Sequence, residues 1–255
     1  MSGKKGRSRA IPGSQGGGLI VAVYDSTCEV PGRMQLYNEM VAALKEWDKE
    51  AFLNVVQSGL SRGLSALEIA KEELRPLVKE ISERFQQNDI IFPEFLLMSD
   101  AIQAGFQFLL PLIKESTIKQ NNPEKVVLGV IEGDIHDIGK NIVKMALEVE
   151  GFEVIDLGCD VPVHKFVEAA RESGARIIAS SSLMTPTLTK MQELENELGR
   201  AGLKGKIKTI IGGEATSREF AEKIGADAWG EEAIEGVEKI KELVVQMKRD
   251  CIEIV

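Results

Sequence analysis

The sequence predicts an α/β protein in which an N-terminal four-helix bundle precedes a doubly wound, parallel sheet of five strands. Apolar residues recur at helical spacing from about residue 34 to residue 119. Beyond Pro123, short runs rich in valine and isoleucine alternate with amphipathic stretches, as a parallel sheet covered by helices requires. The Asn-Asn-Pro sequence ending at Pro123 is typical of a linker. We therefore expect a flexible tail over residues 1–32, the bundle over 33–120 and the α/β domain over 121–255.

The first 32 residues have the composition of a mobile tail, with a basic cluster from Lys4 to Arg9 and three glycines ending at Gly18. A secretory signal is the alternative, because basic residues precede the short apolar run Leu19–Val23. No small-x-small cleavage site clearly follows that run. Four positive charges on a tail are usually solvated, so we expect no nucleic-acid contact from them.

Four helical segments make up the predicted bundle. Asp48 is expected to cap the second helix, Gly63 to end it, and Ser65 to open the third. Pro76 should kink the third helix or start a new segment, because proline lacks the N–H that an α-helix needs. The fourth helix is expected to run from Phe92 to about Lys114, with a possible bend at Pro111 near its end.

The strands that follow are recognised by their short apolar runs, with helical periodicity between them. The predicted strands are 125–131, 153–157, 176–181, 207–212 and a short fifth near 226–228, and the last helix spans about 232–248.

The segment Gly133–Lys140 lies between the first strand and its helix, where open α/β sheets bind their ligands. His136 in this segment has the character of an axial metal ligand. Asp134, two residues earlier, can accept a hydrogen bond from one ring nitrogen and leave the other free. Gly139 would let the chain approach a bulky ligand closely. A purely structural alternative is that His136 is a residue of the first helical turn with Asp134 as its cap.

Two further motifs lie at the ends of predicted strands: Ser181-Ser182-Leu183 ends the third, and Gly212-Gly213 ends the fourth. Together with Asp134-x-His136-x-x-Gly139 they resemble the cobalamin-binding fingerprint of the corrinoid methyl-carrier proteins. This family is similar to the cobalamin-binding region of cobalamin-dependent methionine synthase. The resemblance covers about residues 34–250, and it is specific because three separated motifs occur in the right order. Taken singly, each motif is also compatible with an ordinary cap or turn.

The resemblance implies a Rossmann-like, flavodoxin-like domain that binds cobalamin with its lower base displaced from cobalt and His136 in the vacated position. It implies a relay in which Asp134 bonds to His136 and a hydroxyl at Thr187, where serine is commoner, bonds to Asp134. It also implies a channel for the nucleotide tail, lined by residues of the second and third motifs. The cofactor-binding residues expected on this basis are Asp134, His136, Asp137, Ile138, Gly139, Ser181, Leu183, Thr185, Thr187, Gly212, Gly213 and Met98, with His136 as the metal ligand.

In the family, the bundle covers the reactive face of the cofactor, and Phe92–Met98 resembles the segment that approaches it. The alternative is that a Met and Phe stripe at helical spacing is simply core. Because a cap that shields cobalt also blocks access to it, the resemblance implies domain movement about the linker 119–125.

The resemblance further implies a carrier subunit, not catalytic alone, which takes a methyl group from a substrate-specific methyltransferase and gives it to a tetrahydrofolate- or thiol-dependent one. The expected cofactor is cobalamin in its methylated and Co(I) forms, and a reductive activase is an expected third partner. A cobalamin-dependent sensor is the alternative function, but we identify no effector module in this sequence. We expect a cytoplasmic protein.

Composition excludes several other classes. The net charge of −9 disfavours general nucleic-acid binding, and no stretch approaches about 18 uninterrupted apolar residues, so no membrane span is expected. The cysteines, Cys28, Cys159 and Cys251, are too scattered for a disulfide framework. Asn141 stands where a phosphate loop needs Ser or Thr. A bare divalent ion bound near His136 stays open, although it would give the other two motifs no role.

Overall fold

Five parallel strands form the centre of the C-terminal part of the protein in the computed structural model, which describes residues 33–116 and 123–253. The strand order is β2-β1-β3-β4-β5, the flavodoxin-like arrangement, so the predicted doubly wound sheet is confirmed. The strands are β1 (Lys125–Val130), β2 (Glu153–Asp156), β3 (Ile177–Ser181), β4 (Lys208–Gly212) and β5 (Ala228–Gly230).

Three strands end at the same level as β1. Val130 is in register with Ser181, Ser181 with Gly212, and Gly212 with Gly230. Because all strands are parallel, the loops that follow them meet at one edge of the sheet, and this edge carries all three sequence motifs. The helices that cover the sheet are α6 (Ile138–Val149), α7 (Val163–Ser173), α8 (Leu188–Arg200), α9 (Arg218–Ile224) and α10 (Ala233–Glu253).

The fifth strand lies two residues later in the chain than predicted. Asp227 forms a two-way contact with Thr209: its backbone N–H donates to the Thr209 carbonyl at 3.0 Å, and its carboxylate accepts from the Thr209 N–H at 2.9 Å. Asp227 therefore serves as the anchor before β5 and not as its centre. A local apolar pattern does not contain this pairing between distant segments.

The N-terminal part is helical throughout its described residues, as predicted. Asp48 caps α2 by accepting a hydrogen bond from the Ala51 N–H at 2.9 Å. Ser65 caps α3 and forms a reciprocal capping box with Glu68. The bundle helices are α1 (Arg33–Lys45), α2 (Lys49–Ser61), α3 (Ala66–Glu68), α4 (Arg75–Gln86) and α5 (Phe92–Ser116).

Pro76 does not break the third helical segment. A π-helical stretch, Ile69–Leu74, joins α3 to α4, and the Arg75 N–H bonds to the carbonyl of Ala70, five residues earlier. Pro76 then occupies the first turn of α4, where its missing N–H costs little. The chain accommodates the proline ring by widening the preceding turn, so the segment stays helical from Ala66 to Gln86.

Helix α5 lies at the centre of the bundle and packs against α2, α4 and α6. Among the described residues it is the one helix long and apolar enough to cross a membrane by length and composition, but half of that stretch is buried in the protein. The bundle core continues onto α6 through the buried side chains Ile142, Met145 and Val149. The apolar composition of α5 is therefore used in packing.

An ion-pair network joins the bundle to the α/β part. Arg75 on α4 bonds to Glu150 at the end of α6 at 3.0 Å and to Glu238 on α10 at 2.6 Å. Lys71 also bonds to Glu150, at 3.0 Å. Farther along α4, Glu83 acts electrostatically on Glu232, which precedes α10. These contacts show that α4 runs antiparallel to α10, so its C-terminal end points towards the sheet edge that carries the motifs.

The predicted tail, 1–32, and residues 119–122 of the predicted linker lie outside the described residues. The domain boundaries and the hinge therefore stay predictions.

Candidate functional site

Asp134 is the buried centre of the site. One carboxylate oxygen accepts hydrogen bonds from His136 Nδ1 at 2.7 Å and from the His136 backbone N–H at 3.0 Å. The other oxygen accepts from the backbone N–H of Leu183 at 2.6 Å. A carboxylate with no exposed side-chain surface thus ties the loop after β1 to the loop after β3. The predicted pairing of Asp134 with His136 is present.

Hydrogen bonding keeps Asp134 ionised despite its burial. Burial raises the pKa of this carboxyl, but the bonds from the backbone of His136 and Leu183 and from the imidazole outweigh it and lower the pKa below its ordinary value. An ionised carboxylate only accepts hydrogen bonds, so Nδ1 of His136 carries the proton. The Nε2 lone pair of the neutral ring is therefore left for a metal, and the side chain is 49% exposed.

Large apolar side chains on the two loops that Asp134 joins are exposed to solvent. Ile135 is 70% exposed, Leu183 45% and Met184 38%. Exposed apolar residues clustered beside a polar anchor mark a ligand surface. A flat, largely apolar ring system with a metal at its centre has the chemistry to cover them.

The end of β3 contains a buried polar atom without a partner. Ser181 Oγ makes no hydrogen bond within the described part of the chain, although Ser181 lies between Val130 and Gly212 in the sheet. A buried hydroxyl left unpaired is costly, so an unpaired one at a strand end is a suitable contact for a polar ligand group. This supports the expectation that Ser181 contacts the nucleotide tail.

Gly213 is required by the fold of the protein itself. Its φ is +98°, and a Cβ there would lie 2.4 Å from the carbonyl oxygen of Ser182. At Gly212 a Cβ would lie 3.1 Å from the carbonyl oxygen of Gly230. Gly213 thus lets the loops after β3 and β4 approach each other closely, and Gly212 lets the ends of β4 and β5 do so. Contact of either glycine with a cofactor stays a prediction.

Comparison with known proteins agrees with this geometry. The B12 binding domain family matches residues 124–238, and a second B12 binding domain family matches residues 36–110. Trimethylamine corrinoid protein 1 of Methanosarcina mazei is 38% identical over 199 residues, which cover 78% of this chain and 92% of that protein. The chain belongs to the corrinoid proteins of methyltransferase systems. It therefore binds cobalamin.

Solved structures agree with the assignment. The monomethylamine corrinoid protein of Methanosarcina barkeri aligns with a TM-score of 0.65 and 27% identity, covering 83% of this chain and 99% of that one. The methanol:cobalamin methyltransferase complex MtaBC of the same organism aligns with a TM-score of 0.55 and 25% identity, covering 83% and 80%. The predicted arrangement of a helical cap before a Rossmann-like domain is confirmed.

The residues of this corrinoid protein fit the cofactor. His136 presents an available Nε2, the apolar loop residues offer a surface for the corrin ring, and the unpaired hydroxyl of Ser181 offers a polar contact beside the strand ends. Asp137, Ile138 and Gly139 form the start of α6 directly beyond the histidine, with Asp137 at the N-cap position. Their contacts with the cofactor stay predictions.

The predicted relay through Thr187 is wrong for this structure. The Thr187 hydroxyl donates to the carbonyl of Met184 at 2.8 Å and lies 2.7 Å from Ser182 Oγ. The donor that the second oxygen of Asp134 accepts from is the Leu183 N–H. The reason is local: Thr185–Thr187 forms a 3-10 turn, and within it the Thr187 hydroxyl bonds to the backbone carbonyl of Met184. Thr185 in that turn is exposed.

Met98 also differs from expectation. Its side chain is 4% exposed and belongs to the bundle core. The exposed apolar side chains of the same segment are Phe92, Leu96 and Leu97. The helical spacing places Met98 on the inner face of α5 and these three on its outer faces, so they are better placed than Met98 for a ligand. A contact between Met98 and cobalamin stays a prediction.

Sequence reasoning missed the support that the loop after β2 gives to the site. The Asp160 N–H donates to the Asp134 carbonyl at 2.8 Å, and the Asp160 carboxylate accepts from the Gly133 N–H at 2.7 Å. Lys140 is buried and bonds to Asp156 at 2.6 Å. The sequence offered one signal of this support, which is the position of Lys140 inside an apolar helical stripe. A lysine buried there needs a carboxylate partner.

Proposed function

We propose that this corrinoid protein carries a methyl group on the cobalt of bound cobalamin between a methylamine-specific methyltransferase and a second methyltransferase that uses tetrahydrofolate or a thiol as acceptor. The named relatives with which it aligns are trimethylamine and monomethylamine corrinoid proteins, which supports a methylamine as the donor. The known methyltransferase complex of similar fold supports a methyltransferase as the direct partner. A reductive activase that restores the cofactor is part of the same proposal.

The observation that carries the proposal is the hydrogen bond between Asp134 and His136 Nδ1. When bound, cobalamin supplies a cobalt centre that accepts and releases a methyl group. Asp134 orients the imidazole through Nδ1, so Nε2 of His136 would be the atom that holds cobalt. Ile135, Leu183 and Met184, which are exposed on the two loops, would exclude water when the corrin covers them. The Asp134–His136 contact supports base-off, histidine-on binding as part of the proposal, because a ring already held in one orientation loses less freedom when it ligates a metal.

The contacts that hold Asp134 do not involve Nε2 of His136. One carboxylate oxygen accepts from His136 Nδ1 and from the His136 backbone N–H, and the other accepts from the Leu183 N–H. Asp134 would therefore hold the imidazole in the same way whether or not Nε2 binds cobalt.

The test is reconstitution with cobalamin, comparing the wild type with His136→Ala and with His164→Ala. His164, the other histidine of the chain, is exposed near the start of α7 and serves as the matched control. We expect a histidine-ligated, base-off absorption spectrum in the wild type and in His164→Ala, and its loss in His136→Ala. Methyl transfer from a methylamine methyltransferase should slow in the same variant. Equal spectra and equal turnover in all three proteins would refute the role of His136.

The methyl donor is tested separately. Purified methylamine methyltransferases and a methanol methyltransferase would each be mixed with the reconstituted protein and their substrates, and methylation of the cofactor would be followed by absorption. Methylation only with a methylamine enzyme is the expected outcome. Methylation only with the methanol enzyme would overturn the donor while leaving the carrier function intact.

A further inference from the structure

The loop between β1 and α6, which carries His136 and is called the histidine loop below, is held at both of its ends by two carboxylates. Asp156 is the last residue of β2, and Asp160 lies in the connection from β2 to α7. Upstream of His136, Asp160 contacts the loop twice: its Oδ1 accepts from the Gly133 N–H at 2.7 Å, and its own N–H donates to the Asp134 carbonyl at 2.8 Å. Gly133 has a φ of +89°, so the loop turns at the residue that Asp160 holds. Asp160 thus holds the backbone of Asp134 and of the residue before it.

Downstream of His136, Asp156 holds the first turn of α6. Its Oδ1 accepts from Lys140 Nζ at 2.6 Å, and its Oδ2 accepts from Lys144 Nζ at 3.1 Å. Lys140 is 3% exposed, and a buried ammonium group is stable only when it is paired. The position of α6, and with it the downstream end of the histidine loop, therefore depends on Asp156.

The segment that carries both carboxylates is itself held in one conformation. Gly158, between them, has a φ of +82°, and its N–H bonds to Asp156 at 3.0 Å. Asp160 has a φ of +53°, which only a minority of residue types adopt without strain, aspartate and asparagine among them. Val161, the next residue, bonds to the Val130 carbonyl and forms a bridge with Ile131. The connection is therefore attached to the sheet next to the loop that it supports.

We propose that Asp160 and Asp156 are positioning residues for the lower axial ligand, and that the connection Asp156–Asp160 sets where the His136 imidazole lies relative to the corrin. The proposal rests on the proposed function, in which His136 ligates cobalt. Without the Asp160 carboxylate, the turn at Gly133 loses a contact that holds the loop on which Asp134 and His136 lie. The imidazole is then positioned less precisely, although Asp134 and His136 are both present.

The first experiment uses the protein without cofactor, so it does not depend on cobalamin chemistry. Amide hydrogen exchange is measured in the wild type, in Asp160→Ala and in Asp160→Asn. Asparagine tolerates the left-handed conformation and keeps an acceptor oxygen for the Gly133 N–H, whereas alanine does neither well. In Asp160→Ala we expect exchange at Gly133 and His136 to quicken roughly tenfold, as loss of one hydrogen bond implies. Asp160→Asn should stay within about threefold of the wild type.

Two further variants keep the result specific. Asp48→Ala removes another exposed carboxylate that accepts one backbone N–H, in the bundle, and should leave exchange at the histidine loop unchanged. Lys140→Met removes the buried one of the two downstream contacts of Asp156, leaves that of Lys144, and should quicken exchange at the first turn of α6. Unchanged exchange at the loop in Asp160→Ala, or equal changes in Asp160→Ala and Asp48→Ala, would overturn the proposal.

The second experiment adds cobalamin and records the fraction of cofactor with histidine ligation. We expect that fraction to fall several-fold in Asp160→Ala and to recover in Asp160→Asn. Full ligation in Asp160→Ala, despite rapid exchange at the loop, would refute a positioning role. Absence of histidine ligation in the wild type would instead refute the proposed function, while the exchange data would still decide whether Asp160 holds the loop.

Discussion

Replacement of Asp134 by asparagine leaves the shape of the site almost unchanged and alters its hydrogen bonding. The carboxylate accepts three bonds, from His136 Nδ1 at 2.7 Å, the His136 N–H at 3.0 Å and the Leu183 N–H at 2.6 Å. Asparagine has one acceptor oxygen and one NH2 donor. Whichever way its amide turns, the NH2 group faces a backbone N–H, because Leu183 donates on one side and His136 on the other.

The size of the effect follows from these contacts. One buried donor left without an acceptor costs about 1–3 kcal/mol, and charge-assisted bonds are roughly twice as strong as neutral ones. We therefore expect Asp134→Asn to lower the free energy of unfolding of the cofactor-free protein by about 2–4 kcal/mol. Urea denaturation measures this value, with an unchanged slope as the sign that the native and unfolded states are otherwise the same.

The same substitution changes the imidazole. If the amide oxygen turns to Leu183, the NH2 group faces Nδ1 of His136, which must then give up its proton. The proton moves to Nε2, and a protonated Nε2 cannot ligate a metal. The histidine-ligated spectrum should therefore weaken together with stability.

Asp48→Asn is the control for this prediction, because asparagine caps a helix as well as aspartate does and no change is expected. Suppose that Asp134→Asn unfolds with a free energy within about 0.5 kcal/mol of that of the wild type and has an unaltered cobalamin spectrum. The charge of this carboxylate is then not what holds the imidazole.

Three other perturbations test the surrounding structure. Gly213→Ala places a Cβ 2.4 Å from the Ser182 carbonyl at a φ of +98°, and should lower the free energy of unfolding, measured in urea, by at least about 2 kcal/mol. The control Gly199→Ala in α8 meets no atom and should be neutral or stabilising. Equal effects of the two substitutions would contradict the requirement for glycine at position 213. Arg75→Met removes the guanidinium that joins α4 to α6 and α10, and should lower the free energy of unfolding by about 1–3 kcal/mol. Proteolysis between the bundle and the α/β part should also become faster, and an unaltered digestion pattern would contradict this. Burial raises the pKa of Asp156, but the hydrogen bonds from Lys140, the Gly158 N–H and Lys144 outweigh burial, so the pKa of this carboxyl lies below its ordinary 3.8. The stability that the ionised Asp156 confers is therefore present above 3.8 and is lost as the pH falls through the folded-state pKa. Asp156→Asn should therefore flatten the acid side of the stability–pH curve, and a curve parallel to that of the wild type would refute this.

Local signals in the sequence account for the elements that were predicted well. The strand β1 is an uninterrupted apolar run, and its predicted end differs from the observed one by a single residue. Asp48 and Ser65 cap helices because a side-chain oxygen meets an N–H two or three residues away. The contact of Asp134 with His136 is of the same kind, since two residues separate them. Interactions of this range depend on the identity of neighbours in the chain.

The differences from the predictions have longer-range causes in some places and local causes in others. The fifth strand lies later in the chain because Asp227 bonds to the distant Thr209. The Thr187 hydroxyl bonds to the Met184 carbonyl within its own 3-10 turn and does not reach Asp134. The helical spacing of Met98 is compatible both with a ligand contact and with a core residue. The packing of the bundle places its side chain in the core. Pro76 is compatible with a continuous helix because a π-helical stretch precedes it.

The fold class, the order of the elements and the pairing of His136 with Asp134 could be predicted from the sequence alone, because periodicity, capping and a motif at a strand end are properties of short stretches of chain. How His136 is held depends on the tertiary structure. Asp160, Asp156 and Leu183 lie between 12 and 49 residues from their partners along the chain, and the parallel sheet brings their loops to one edge. Hydrogen bonds between such loops depend on distances of a few tenths of an ångström, which no pattern of residue types contains.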